Sequence, residues 1–350
     1  MKIIIISTPF IPSPPPTYGG LELITYNLAV ELANRGHEVA LACPSESKLP
    51  ENVTHVDIGP ARYKVHQNWF QAELEAYQKY KPYLKDYDII HDHTWFAFPY
   101  QYKLENPQAK IIHTHHGACN WTDALGKPQP PPILYPNLVG ISRSHAESLS
   151  LFLGRPVRYV YNGIDTTLYP YQKTKQDFLL FLSRITPIKG AHIAIEVAKK
   201  LRQKLIIAGG DIFVDDQAYV THVIEQCDGH LIKYKGEVTF IEKIELLKNA
   251  KALLFCPNPP FEEPFGLVPV EAMLCGTPVI SLRNGATPEI IKHGHSGYIC
   301  NSIDEMIKAV KKIDKIKPRN CRTWAAKFSK ENMASRYEQL YKEILDGFEW

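Results

Sequence analysis

Two carboxylates, Glu263 and Glu271, are spaced eight residues apart in Glu263-Pro-Phe-Gly-Leu-Val-Pro-Val-Glu271, amid Leu267, Val268, Val270, Ala272, Met273 and Leu274. A carboxylate buried in so apolar a run is costly unless polar partners meet it. The paired hydroxyls of a sugar or a ribose are such partners, because a carboxylate only accepts hydrogen bonds and a diol offers two donors. A glutamate facing solvent fits the same periodicity, so the spacing leaves both open. Two cations, Arg184 and Lys189, share the stretch Phe181-Leu-Ser-Arg-Ile-Thr-Pro-Ile-Lys-Gly190. A guanidinium fork and an ammonium point charge in one loop can converge on a diphosphate. Two solvated surface charges are the plainer alternative. Gly19-Gly20 removes two Cβ atoms just before a helix whose N-terminal amides favour an anion. It reads either as a phosphate- or sugar-facing loop or as a simple turn, and it is not the GxGxxG of dinucleotide binding.

Five histidines cluster in two short segments, His91-Asp-His93 and His113-Thr-His-His116. Imidazoles beside a carboxylate can bind zinc, contact a substrate near neutral pH, or sit satisfied in a core. No HExxH stands here to favour the metal. Aromatic side chains fall in the same half of the chain at Tyr18, Trp69, Phe70, Trp95, Phe96 and Trp121. They could stack on a flat or sugar-like ligand or belong to the core. Tyr18, His93, Trp95 and His115 are the candidates for touching such a ligand.

These residues need positioning, and the surrounding pattern supplies it. Lys2–Ser7 is an apolar run fit for a buried parallel strand, followed by a Pro/Gly loop, a helix over Leu21–Asn34 and a strand over Glu38–Cys43. Strands are predicted at 87–91, 110–113, 137–141 and 158–161, with a helix at 144–153. The polar, proline-containing stretch 169–177 reads as a linker. A second alternation follows, with strands at 178–182, 204–208, 231–234, 252–256 and 278–281 and helices at 190–201, 241–249 and 267–275. Strand–helix alternation with short links means a parallel sheet covered on both faces. The chemistry-bearing residues follow strands, where open parallel sheets bind ligands.

The chain has 350 residues, 40 Lys+Arg against 37 Asp+Glu and a net charge of +3. That length suits two domains, and that charge argues against a dedicated nucleic-acid binder. The apolar runs are too short to span a bilayer. The start, Met-Lys and then a strand-like run, lacks a signal peptide's pattern. Seven cysteines, never closer than 19 residues, form no CxxC pair. Together these predict reduced core cysteines and a cytoplasmic protein.

Taken in order, the segments resemble the family 4 retaining glycosyltransferases. The matching pieces are Tyr18-Gly-Gly-Leu-Glu22, Arg35-Gly-His-Glu-Val39, Asp88-Ile-Ile-His91, Gly140-Ile-Ser142, Asn162-Gly-Ile-Asp165, Ser183-Arg184 with Lys189-Gly190, and Ala208-Gly-Gly210. Gly285 with Pro288-Glu289 and the last helix, with Ser329, Tyr337 and Tyr341, add to them. The most specific is Glu263-Pro-Phe-Gly-Leu with Glu271, which looks like the family's E-x7-E motif. Ser183 replaces a usual glycine, the first loop is unusually proline-rich, and Pro269 fits the motif helix only in its first turn.

The resemblance implies an α/β, GT-B fold: two Rossmann-like, doubly wound parallel-sheet domains facing across a cleft. Residues 1–170 would bind the acceptor, residues 171–330 the nucleotide-sugar donor, and 331–350 would form a helix crossing back to the first domain. By position, Arg184 and Lys189 match the pair on the donor diphosphate, and Glu271 the ribose ligand. Glu263 matches the residue near the donor sugar, with the amides of Phe265, Gly266 and Leu267 beside it. Gly19 and Gly20 match the loop facing the phosphates, and His116, with His115 as its rival, the histidine beside the sugar. The implied activity is transfer of a hexosyl group, such as glucose from a UDP-sugar, to an acceptor hydroxyl, with retention and with no metal or other cofactor. The implied partners are a nucleoside-diphosphate sugar and an unidentified acceptor, with membrane contact at most peripheral. Other readings are a nucleotide-sugar epimerase or hydrolase or a phosphorylase on the same frame, a zinc-dependent hydrolase built on the histidines, and a non-catalytic nucleotide-sugar binder.

Overall fold

The computed structural model describes residues 1–62, 68–119, 136–210 and 216–350; Trp121 falls outside them. The chain divides into two compact units, Met1–Ile164 with Phe328–Trp350, and Asp165–Lys327. None of the described helices is long and apolar enough to cross a membrane.

The first unit carries the parallel strands β1 (Lys2–Ile6), β2 (Glu38–Cys43), β3 (Val53–Asp57), β4 (Ile89–Asp92), β5 (Ile111–Thr114), β6 (Leu138–Gly140) and β7 (Arg158–Tyr159), in the order β3-β2-β1-β4-β5-β6-β7. Ile3 sits opposite Val39 on one side and Ile89 on the other. Ile3 to Ile6 are all fully buried, as a strand covered on both faces requires. The helices α1 (Gly20–Asn34), α2 (Trp69–Tyr80), α3 (Pro99–Glu105) and α4 (Arg143–Leu153) alternate with these strands.

The second unit carries β8 (Leu179–Leu182), β9 (Leu205–Ala208), β10 (Ile232–Tyr234), β11 (Ala252–Phe255), β12 (Val279–Leu282) and β13 (Gly297–Cys300), in the order β10-β9-β8-β11-β12-β13. Its helices are α5 (Ala191–Leu201), α6 (Gln217–Glu225), α7 (Phe240–Asn249), α8 (Leu267–Leu274), α9 (Thr287–Ile290), α10 (Ile303–Lys311) and α11 (Pro318–Ala325). Both sheets reverse their winding beside their first strand, between β1 and β4 and between β8 and β11. A crevice opens at the carboxyl ends of the strands at such a switch point.

The stretch 169–177, whose composition suggested a linker, is engaged within the second unit. Gln172 N donates to Cys275 O, and Lys175 Nζ donates to the carbonyls of Lys248 and Cys275. The last helix, α12 (Lys330–Leu345), belongs to the first unit. Arg35 donates to Ser335 Oγ, Glu338 Oε2 and Glu331 O, and His37 pairs with Glu338 Oε1 at 2.8 Å. The Arg35-Gly-His motif therefore fastens α12 against α1. All seven cysteines are free thiols.

Candidate functional site

In the second unit the chain leaves β8 at Leu182 and turns through Ser183 and Arg184. Lys189 closes a short 3-10 turn, and Gly190 in the left-handed region starts α5. Lys189 Nζ donates to Glu263 Oε2 at 2.5 Å and lies 4.5 Å from the centre of the Phe261 ring. Both charged side chains are largely shielded, at 14% and 8% exposure. Glu263 follows β11 and Lys189 follows β8, so the pair spans the carboxyl ends of the two strands at the switch point.

The loop bearing Glu263 is held through its own backbone groups, two of them met by the Asn284 side chain. Its N–H donates to Asn284 Oδ1 at 2.7 Å, its carbonyl accepts from Ala286 N, and Asn284 Nδ2 donates to Phe261 O. Gly285 makes this possible. Its φ is +45°, and a Cβ there would lie 2.3 Å from Glu263 O. Phe265 is buried, Gly266 caps α8, and Leu267 is its first residue. Pro269 falls in the first turn of α8, where its missing N–H breaks no helical bond. The amides opening α8 thus form a positive end beside Glu263.

Glu271, on the second turn of α8, is buried rather than solvent-facing. Its Oε1 accepts from Tyr169 Oη at 2.7 Å and from Lys243 Nζ at 2.8 Å. Burial, reinforced by the Glu271 carboxylate beside it, holds the Tyr169 hydroxyl well above its ordinary pKa.

In the first unit Gly19 and Gly20 open α1 after β1. A Cβ on Gly19 would meet Pro15 Cβ at 2.6 Å, and its φ is +152°. Glu22 is buried one turn further on; its Oε1 accepts from Thr8 Oγ1 at 2.5 Å, and desolvation raises its pKa. Tyr18 is exposed beside this loop.

The histidines divide into distinct roles. His91 is a core residue, bonded through Nδ1 to Tyr341 Oη and through Nε2 to Thr114 Oγ1; Thr114 in turn meets Tyr337 Oη. His113 pairs with Asp92 at 2.8 Å, both fully buried. His93 Nδ1 lies 2.8 Å from His116 Nε2. His115 is buried with its ring edge-on to Trp95, whereas His116 is half-buried. Desolvation, reinforced by His113 and His145, lowers the His116 pKa to about 3. Among the described residues no group of three or more His, Cys, Asp or Glu side chains could hold a metal ion. The zinc-hydrolase reading finds no such group among them, and His91 engages both ring nitrogens, with Tyr341 and Thr114.

Trp95 belongs to an aromatic group, with ring centres 4.6 Å apart for Phe10–Trp69 and 6.4 Å for Trp69–Trp95. Glu73 of α2 positions it, accepting from Trp95 N and Phe96 N at 2.9 Å each. Sequence reasoning missed Glu73, Tyr169 and Lys243 and gave Glu22 no role. The signal for Glu22 was the one used for Glu271, a lone carboxylate among apolar neighbours. Lys243 and Tyr169 carry no local signal, because their partner is distant in the chain.

The comparisons with known proteins agree with this frame. Residues 18–168 match the family described as Glycosyltransferase Family 4, and residues 170–330 that described as Glycosyl transferases group 1. The chain is 26% identical to N-acetyl-alpha-D-glucosaminyl L-malate synthase of Bacillus anthracis, over 94% of this chain and 95% of that protein. It is 25% identical to the glycogen synthase of Mycobacterium tuberculosis, over 86% and 82%. Among solved structures, sucrose-phosphate synthase from Thermosynechococcus elongatus superposes with a TM-score of 0.82 at 18% identity, covering 99% of this chain and 100% of that one. HepE of Anabaena, crystallised with UDP-glucose, gives 0.70 at 20% identity, with 99% and 100% covered. With two Rossmann-like parallel sheets and two adjoining family matches that together span residues 18–330, the chain belongs to the family 4 glycosyltransferases and has the GT-B fold.

Proposed function

We propose that this glycosyltransferase moves a hexosyl group, glucose foremost, from a UDP-sugar to an acceptor hydroxyl with retention at the anomeric carbon and no divalent cation. The observation that carries this reading is the Lys189–Glu263 pair at the switch point of the second sheet, with Arg184 in the same loop and the α8 amides alongside. HepE, a structural neighbour, was crystallised with UDP-glucose, which supports uridine as the base.

In the reaction, the bond from the anomeric carbon to the β-phosphate breaks, and negative charge grows on the leaving diphosphate. Lys189, Arg184 and the α8 amides stabilise that charge, the task a metal ion performs elsewhere. Glu263 accepts hydrogen bonds from the sugar hydroxyls once Lys189 turns to phosphate, and Glu271 accepts from the ribose. The acceptor oxygen attacks the face the diphosphate leaves, and its proton passes to a β-phosphate oxygen. His116, kept neutral by its lowered pKa, orients the sugar and is not a proton donor at neutral pH. Acceptor contacts are assigned to Tyr18, His93, Trp95 and His115, and Gly19 and Gly20 let the phosphates approach the backbone.

The test is a donor screen by thermal shift, followed by incubation with an acceptor panel and NMR of the product anomer, with and without EDTA. A retained anomer formed at full rate in EDTA is expected. Loss of activity restored only by metal, or a trapped glycosyl–Glu263 adduct, would overturn the mechanism. Conversion of the donor without any acceptor would favour an epimerase or hydrolase instead.

A further inference from the structure

Glu271 is reached by two donors from outside its own helix, and both end on the same oxygen. Lys243 comes from the first turn of α7, whose start is fixed by a reciprocal cap between Thr239 and Glu242. Its side chain is 18% exposed, and its ammonium lies 5.1 Å from the Phe240 ring centre and 5.9 Å from that of Tyr169. Tyr169 is fixed in turn, because Arg322 Nη1 donates to Tyr169 O at 2.6 Å and to Leu274 O at 2.7 Å, joining this strand of chain to the end of α8.

We propose that Lys243, assisted by Tyr169, is a positioning residue for nucleotide recognition: its ammonium offsets the cost of burying the Glu271 carboxylate and, by occupying Oε1, presents Oε2 to the ribose diol. This rests on the reading of Glu271 as the ribose ligand. A buried carboxylate without a cation loses more than it gains by keeping its charge, and an unpinned one can swing either oxygen away from the ligand. With Oε1 held by two donors the rotation is locked, and the acceptor left over has a fixed direction.

The experiment is isothermal titration of the full chain with UDP, 2′-deoxy-UDP and 3′-deoxy-UDP, in the wild type, K243M, K243R, Y169F and E271Q. The wild type is expected to prefer UDP over at least one deoxy analogue by ~10-fold or more, as a hydrogen bond to a charged group warrants. In K243M that preference should fall to within about 2-fold, as in E271Q, while affinity for the deoxy analogue changes little. K243R, which keeps the cation, should recover part of the preference, and Y169F should lose part of it. A K243M chain that still prefers UDP as the wild type does would overturn the role of Lys243. A wild type that binds all three equally would instead remove Glu271 from the ribose, and the proposal with it. Should K243M not fold, Y169F decides: an unchanged preference there overturns the two-donor hold on Oε1.

Discussion

A carboxyl group that water cannot reach carries its environment in its titration. Glu73 is 1% exposed, and burial pushes its pKa up to about 8 despite the two amides donating to it. In the unfolded chain a glutamate titrates near 4.3. Between that value and about 8 the folded protein holds a proton the unfolded chain has lost, so stability falls as pH rises through this window and levels off above it. E73Q removes the titration while keeping a polar group beside Trp95 and Phe96. The Tm of E73Q minus that of the wild type is therefore expected to climb from pH 5 to pH 9; a constant difference would show that Glu73 does not titrate there. The fixed cations make a second case. K189M removes a transition-state donor and leaves Glu263 unpaired, so turnover should drop by ~10²–10³, as for other lost oxyanion donors, measured as kcat at saturating donor. His116 acts on orientation, so H116A should reduce kcat more than donor affinity, and titration calorimetry beside kinetics separates the two.

At the scale of elements, the sequence is legible where a strand is buried on both faces and obscure where it is not. β1, β2, β8 and β11 announce themselves as unbroken apolar runs, and the structure keeps them to within a residue or two. β3 was missed because it is an edge strand whose Val53 and Val56 are buried while Thr54, His55 and Asp57 are exposed, a pattern that is neither continuous nor alternating. The region beyond 281 yielded no elements before the last helix, although it holds α9, β13, α10 and α11, each of nine residues or fewer. The candidate residues Glu263 and Glu271 were picked out by the resemblance of their motif, since their spacing alone left a solvent-facing glutamate equally open. Their partners were not, because Lys189 with Glu263 and Lys243 with Glu271 are contacts that only the folded sheet creates. Gly163 shows the same logic in a structural motif. A Cβ there would lie 2.4 Å from Ser329 O and 2.7 Å from Met333 Cβ, at the start of α12. G163A should cost about 2 kcal/mol of unfolding free energy, as overpacking does, read from urea titration; a neutral result would mean that α12 shifts at no cost.

For the whole molecule, the decisive fact is that one unit is continuous in sequence and the other is not. Asp165–Lys327 contains every strand of its sheet, the Lys189–Glu263 pair and the Glu271 cluster. The first unit needs Phe328–Trp350, which brings in Met333, Tyr337, Leu340, Tyr341 and Ile344 as buried side chains. At about 1.5–3 kcal/mol per large apolar side chain, these five represent roughly the net stability of an ordinary domain. Their loss would also leave His91 without Tyr341, Thr114 without Tyr337, and Arg35 without its partners on α12. Expressed alone, residues 165–327 are expected to melt cooperatively and to bind the same nucleoside diphosphate as the full chain. Residues 1–164 alone should show no cooperative melt, and adding residues 328–350 through a short Gly/Ser linker should restore one. Calorimetry of the three fragments checks this: a cooperative melt of 1–164 by itself would show that the last helix decorates the first unit rather than completing it.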